Sequence, residues 1–387
     1  MLTPPRYRVK GEACRIPPGD REREQRQQMA GSELERVGVV LVNTGTPASP
    51  AVGDVRRYLA QFLNDPRVID MPAWQRWLLL HLVILRFRPA KSAAAYAKIW
   101  TPEGSPLRVH GLGLAAGVQA LLGDQAVVRL GFQFGEPSIP QAFKDFADAG
   151  LRRVCVVPLF PQYAAASTGS AVEAAIGAAA ARWVIPALHV VPAFWSEPEF
   201  LAAMASAMAA ARAKSQPDHV QPDHTQPDHI LFSFHGVPEH HCTRTDETGK
   251  HCLRAATCCD AITAVNASCY RAQCFATARA LCARLGLAPG DVTVAFQSRL
   301  GRIPWIQPHT DTVLTELAKA GKHHVMVVEP SFVADCLETL EEIGMRGRED
   351  FQAAGGDELT LVPSLNATAG WVAGLTAIIR RSCSWLS

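Results

Sequence analysis

The sequence predicts an α/β protein built from two parallel sheets, each covered by helices. Two observations carry that expectation: short runs that are apolar on both faces, and Ala/Leu-rich stretches of helical spacing that alternate with them. A third, a break in the pattern near Pro186–Pro198, divides the strands into two groups. At about 150 residues per domain, a chain of 387 residues should form two domains and needs no disulfide staple.

The first unit is read from Val37–Val42, a β-branched run that stops at Asn43-Thr-Gly-Thr-Pro47, with a helical pattern from Val55 to Phe62. The same grammar recurs at Val127–Leu130, Val154–Val157, His189–Val191, Ile230–Ser233, Val292–Phe296 and Val325–Val328, each followed by a turn-forming or polar residue. In such sheets, functional residues belong at the carboxyl ends of strands. The expected boundaries are a first lobe over 37–190 and a second over 191–365, the latter carrying a Cys-rich insertion at 240–275. A C-terminal helix in 366–387 should pack back on the first lobe. Residues 1–36, polar and without period or apolar h-region, read as a disordered extension rather than a secretory signal. The tandem pentapeptide Gln216–His229 reads as a duplication in a surface loop, with metal binding by its three His as the alternative.

Lys+Arg 38 against Asp+Glu 36 leaves a net charge of +2, with 19 % charged residues, which argues against a nucleic-acid partner and against a disordered chain. The most apolar stretch, Ala73–Leu85, is interrupted by Gln75, Arg76 and His81 and falls short of the ~20 residues that a membrane span requires. A cytoplasmic protein is expected. Of the 11 Cys, those from Cys242 to Cys282 crowd one segment, which in a large cytoplasmic chain points to a metal or redox site.

Four stretches carry chemistry. In Ser233-Phe-His235-Gly-Val-Pro238, a His at a strand end can accept a proton near neutrality or ligate a metal; a buried structural His fits the spacing equally. In Glu329-Pro-Ser-Phe-Val-Ala-Asp335-Cys-Leu-Glu338-Thr-Leu-Glu341-Glu342, a helix would align Asp335, Glu338 and Glu342 on one face with Glu341 alongside, as oxygen ligands for a divalent ion or as a solvated acidic face. Phe296–Pro308 supplies Arg299, Arg302 and Trp305, fit to clamp carboxylates and to wall a flat aromatic acid. Finally, Tyr163, Ser167 and Thr168 form a hydroxyl-rich loop that could seat an anion or merely cap a helix. Thr44, in the first turn, joins these as a candidate substrate contact.

Taken together, LVNTGTP, YLAQFLNDPRV, KIW with GSPL, FGEPSI, PLFPQYAAASTGS, SFHGVP, FQSRLGRIPWIQP, FVADCLETLEEI and PSLNAT, in this order from about Val37 to Asn366, resemble the ferrochelatase family. The resemblance implies two Rossmann-like domains of the class II chelatase kind with a porphyrin cleft between them. It also implies insertion of Fe(II), the metal substrate, into protoporphyrin IX to give protohaem. His235 matches the family's active-site His and Glu338 its catalytic glutamate, both as metal-site candidates. The stretch Met71–Leu85 resembles the lip that covers the porphyrin. With Arg86, Arg88 and Lys91 it would make a peripheral contact, through 71–91, with the inner face of a membrane; a buried amphipathic helix is the alternative.

Departures stand out. Glu329-Pro-Ser replaces the Cys-Pro-Gly of similar bacterial members, and Cys336 stands where animal relatives carry a second His. The cysteine insertion contains no C-x2-C pair, yet four loop thiolates can hold a 2Fe–2S cluster, as in some bacterial relatives. The adopted ligand set is Cys252, Cys259, Cys269 and Cys274, with structural zinc or free thiols as alternatives. A chelatase for another metal and tetrapyrrole, or a tetrapyrrole or Fe–S sensor without turnover, would share most of these features. Monomer and dimer are both compatible with the sequence.

Overall fold

A computed structural model describes residues 36–214, 227–299, 301 and 303–387. The expectations for the N-terminal extension, for most of the pentapeptide repeat and for Arg302 lie outside the described residues.

In the first half, β1 (Val37–Gly45) leads into α1 (Val52–Phe62). Next, α2 (Ala73–Leu78) passes through a π-helical turn, Leu79–Ile84, into α3 (Leu85–Ile99). The order continues α4 (Pro106–Leu122), β2 (Ala126–Phe134), α5 (Ile139–Asp148), β3 (Arg153–Pro158), α6 (Ser170–Ala180), β4 (Ala187–Val190) and α7 (Pro198–Lys214). The second half runs β5 (His229–His235), α8 (Glu239–Thr243), α9 (Tyr270–Leu285), β6 (Val292–Gln297), α10 (Thr310–Lys319) and β7 (His324–Val328). It closes with α11 (Arg348–Ala353), β8 (Glu358–Leu361) and α12 (Ala369–Ser382).

The strands form two four-stranded sheets, wholly parallel, in the orders β2-β1-β3-β4 and β6-β5-β7-β8. This is the expected fold class, repeated twice with one topology. β8 was not expected from the sequence, because this edge strand buries only Leu359 among its four residues and so lacks a continuous apolar run. α12 packs on α4 and α7, and Trp371 of α12 lies in ring contact with Phe194 and Phe200.

In each sheet the chain winds outward in opposite directions from its first strand, so a crevice opens between that strand and the third. For the second sheet this places the ends of β5, β6 and β7 together, with His235 paired in register to Gln297. Gly236 lets the chain turn here: its N–H donates to the Gln297 carbonyl at 2.7 Å, and a Cβ would come 2.7 Å from that same oxygen.

Candidate active site

His235 ends β5, half-buried, with its ring 6.1 Å from that of Phe332. Its Nδ1 lies 2.6 Å from the Gly236 carbonyl. A carbonyl can only accept, so Nδ1 donates, and in the neutral ring Nε2 is the nitrogen with the free lone pair. Residues 304–306 run beside 237–239, through Ile306 N–H to Val237 O at 3.0 Å and Glu239 N–H to Pro304 O at 3.0 Å. This stitching brings Trp305 against Gly236.

Beyond β7 the acidic stretch departs from the expected α-helix. Residues Glu338–Gly347 form a π-helix that continues into α11, and Asp335 lies in the loop before it. Asp335 is therefore not on a face with Glu338 and Glu342. Its carboxylate instead accepts from Ser364 N–H at 3.1 Å and Asn366 Nδ2 at 2.7 Å, tying down the PSLNAT loop. Glu341 is engaged by Lys98 at 3.2 Å and by Arg346 at 3.3 Å. Glu342 accepts from Ser298 N–H at 3.0 Å and Ser298 Oγ at 2.6 Å. Among the described residues no ion pair reaches Glu338; Gln297 Nε2 donates to its main-chain oxygen at 3.2 Å.

The electrostatics follow from crowding. Burial raises the Glu342 carboxyl, its Ser298 hydrogen bonds oppose the rise, Glu338 adds to it, and nearby His235 and Arg346 oppose it. Glu329, 3 % exposed at the end of β7, is pushed well above the usual carboxylate range by burial, with Asp335, Glu342 and Glu338 adding to the push and Gln297 opposing it. Burial likewise raises the Cys336 thiol, with Glu338 adding to it. Tyr58 and Tyr96, from α1 and α3, are raised first by burial and then, among other causes, by Glu338. The first lobe thus closes over the acidic π-helix.

The remaining expected contacts divide. Ser167, half-buried, and Thr168, buried, lie in a π-helical turn that opens α6, with half-buried Tyr163 just before it, and the Thr168 hydroxyl has no hydrogen-bond partner. Thr44 lies half-buried near the end of β1. Arg299 pairs with Asp311 at the surface. The lip is not a buried amphipathic helix: Trp74, Trp77, Leu82, Val83 and Phe87 are exposed, Phe87 at 76 %, beside exposed Arg86, Arg88 and Lys91. No helix among the described residues is long and apolar enough to cross a membrane.

In the insertion every described cysteine is a free thiol. Cys269 interacts with both Cys242 and Cys252 and is held down to about 6, first by Cys242 and also by N–H groups of Ala272 and Arg271 at the start of α9. Cys258 and Cys259 pair at 3.7 Å, Arg271 donates to Cys259 at 3.1 Å, and the buried Cys274 hydrogen-bonds with Tyr270. The four expected ligands are thus split: Cys252 and Cys269 join Cys242, which the sequence reading passed over, while Cys259 and Cys274 take other partners. Among the described residues no group of three or more His, Cys, Asp or Glu is arranged to share one metal ion. Donor chemistry alone, several buried sulfurs in one segment, suits an iron–sulfur cluster.

Sequence reasoning also missed Ser298, Ser331 and Tyr270, which support His235 or Glu342 through hydrogen bonds, and the hold of Gln297 on the main chain of Glu338. Only Tyr270 carried a signal, its place next to Cys269.

The ferrochelatase family profile matches residues 36–383. The ferrochelatase of Coxiella burnetii (strain Dugway 5J108-111) is 45 % identical over 354 residues, covering 92 % of this chain and 96 % of that protein. That of Pseudomonas fluorescens (strain Pf0-1) is 46 % identical over 345 residues, 89 % and 97 % of the two chains. Among solved structures, the sirohydrochlorin chelatase SirB of Bacillus subtilis subspecies spizizenii with cobalt aligns with a TM-score of 0.48 at 13 % identity, over 90 % of this chain and 96 % of that one.

Proposed function

The chain belongs to the ferrochelatase family and inserts ferrous iron into protoporphyrin IX to form protohaem, and from that premise we propose that His235 and Glu338 carry the reaction. Metallation must remove two pyrrole N–H protons and replace water on the iron by four nitrogens. The observation that carries the assignment is the His235 contact to Gly236: with Nδ1–H given to the Gly236 carbonyl, Nε2 is the ring nitrogen left to accept a pyrrole proton. Glu338, without a basic partner among the described residues, offers a hard oxygen to the incoming ferrous ion and a negative charge to the imidazolium. Glu342, held by Ser298, is the next carboxylate along which a proton can leave. Trp305, Thr44, Tyr163, Ser167 and Thr168 are the proposed porphyrin contacts.

Three finer features belong to the same proposal. The exposed lip, rimmed by Arg86, Arg88 and Lys91, rests on an anionic membrane surface, so that an apolar porphyrin can pass without crossing water. The compartment is the cytoplasm, where the chain's thiols stay reduced. The cysteine segment holds a 2Fe–2S cluster, with Cys242 added to Cys252, Cys259, Cys269 and Cys274 as candidate ligands; when bound, a cluster would cross-link the segment.

The deciding experiment is His235→Ala, assayed for iron insertion and for porphyrin binding. Binding should persist while turnover falls by about 10²–10⁴-fold, the usual contribution of a general base. Turnover within tenfold of wild type would remove His235 from the mechanism.

A further inference from the structure

Tyr270 opens α9, and Cys269 immediately precedes it. Its side chain is buried, and its hydroxyl lies 2.8 Å from the main-chain oxygen of His235 and 2.9 Å from Ser331 Oγ. Ser331 Oγ in turn accepts from the His235 N–H at 3.3 Å. The directions are forced. The His235 carbonyl can only accept, so Tyr270 donates to it; the phenolic oxygen must then accept from Ser331, whose oxygen accepts from His235 N–H. A closed ring of three hydrogen bonds therefore clamps the main chain of His235 from both sides.

The same turn of chain anchors the thiols. Cys269 interacts with Cys242 and Cys252, and its main-chain oxygen accepts from Gln273 N–H at 3.1 Å. The Gln273 side chain accepts from Tyr163 N–H at 2.7 Å, so the helix start also grips the first-lobe hydroxyl loop. Nothing soft intervenes between Cys269 and Tyr270. A change at the sulfurs that shifts this turn must shift the phenol that holds His235.

We propose that Tyr270 is a positioning residue for His235 and that it transmits the state of the Cys242–Cys252–Cys269 thiols to the rate of metal insertion. The inference rests on His235 being the proton acceptor. Misplacing Nε2 by a fraction of an ångström slows proton transfer while leaving the porphyrin walls intact, so the effect belongs in kcat.

The test is a set of variants measured for kcat, for porphyrin KM and for porphyrin binding without metal by quenching of tryptophan fluorescence. Tyr270→Phe and Ser331→Ala each break two bonds of the ring and should each lower kcat by about tenfold or more, with KM and binding unchanged. Because both cut one ring, the double variant should be no slower than the slower single one. Cys269→Ser should slow the native enzyme yet add little in the Tyr270→Phe background; Cys252→Ser replaces it if Cys269→Ser does not fold. Wild-type kcat in Tyr270→Phe, or multiplicative effects of Cys269→Ser and Tyr270→Phe, would overturn the proposal. An active His235→Ala would instead sink the catalytic assignment beneath it.

Discussion

The two sheets share one strand order, yet their carboxyl ends differ in chemistry. At corresponding strand ends the first lobe presents Thr44, Phe134 and Pro158, whereas the second presents His235, Gln297 and Glu329. Both crevices are topological switch points, and topology therefore says only where a site can be, not which lobe performs chemistry. The first lobe supplies walls, lip and the tyrosines of α1 and α3; the second supplies every group proposed here to move a proton or meet the metal. Variants of His235 and the acids of the second lobe should then act on turnover, and those in the first lobe, together with Trp305 of the second, on binding.

Glu338→Gln should give the largest departure among the acids, about 10²-fold or more in kcat, because amide and carboxylate are nearly isosteric and only charge is lost. Glu341→Gln should fall within a few-fold, since that carboxylate is already spent on Lys98 and Arg346. Equal kcat values for the two variants would show that the division of roles within the π-helix is wrong.

The sequence revealed much of this division, and the reasons for its failures are physical. β1 and β5 were legible because residues buried on both faces leave an unbroken apolar run. His235 was legible because Gly236 and Pro238 mark an abrupt strand end. Asp335 misled, since identical spacing reads as one face on an α-helix, and nothing in the residues announces that a π-helix starts three positions later. The pairing of Arg299 was hidden for another reason: its partner Asp311 lies on α10, a tertiary pairing that no local pattern encodes. The ring through Tyr270 joins residues 35 and 61 positions apart and was likewise invisible.

The cysteine segment sharpens the comparison within the second lobe. If it holds a 2Fe–2S cluster, anaerobically purified protein should be reddish-brown and contain about two iron and two sulfide per chain. Cys269→Ser and Cys259→Ser should bleach it, whereas Cys383→Ser, beside β3 in the first lobe, should not. A colourless anaerobic preparation without acid-labile sulfide would refute the cluster.

A smaller effect is expected from the lip. Replacing Trp77 and Phe87 together by Glu should abolish co-sedimentation with anionic vesicles and raise porphyrin KM, with kcat held within about twofold, because these side chains touch none of the acids. A fall in kcat at saturating porphyrin would break the rule that the first lobe only binds.

Glu329 gives the subtlest test, because its carboxyl is buried at a strand end of the chemical lobe with Gln297 opposing the rise that burial imposes. Its folded carboxyl is raised above its unfolded value near 4.3, chiefly by burial. A raised group binds its proton more tightly in the folded state. Its stabilising contribution is thus complete below about pH 4.3 and drains away as pH rises through the folded value. Carboxylates with lowered values, such as Asp228 and Asp311, slope the other way, so the informative quantity is the difference between variant and wild type. Glu329→Gln keeps the shape and cannot ionise. It should leave denaturant midpoints unchanged near pH 4 and raise stability by about 1–2 kcal/mol at high pH, where one pH unit of a raised carboxyl is worth about 1.4 kcal/mol. Parallel stability curves for the two proteins from pH 4 to pH 9 would mean that Glu329 ionises as an ordinary solvated carboxylate, and the contrast between the two strand ends would then rest on His235 and Gln297 alone.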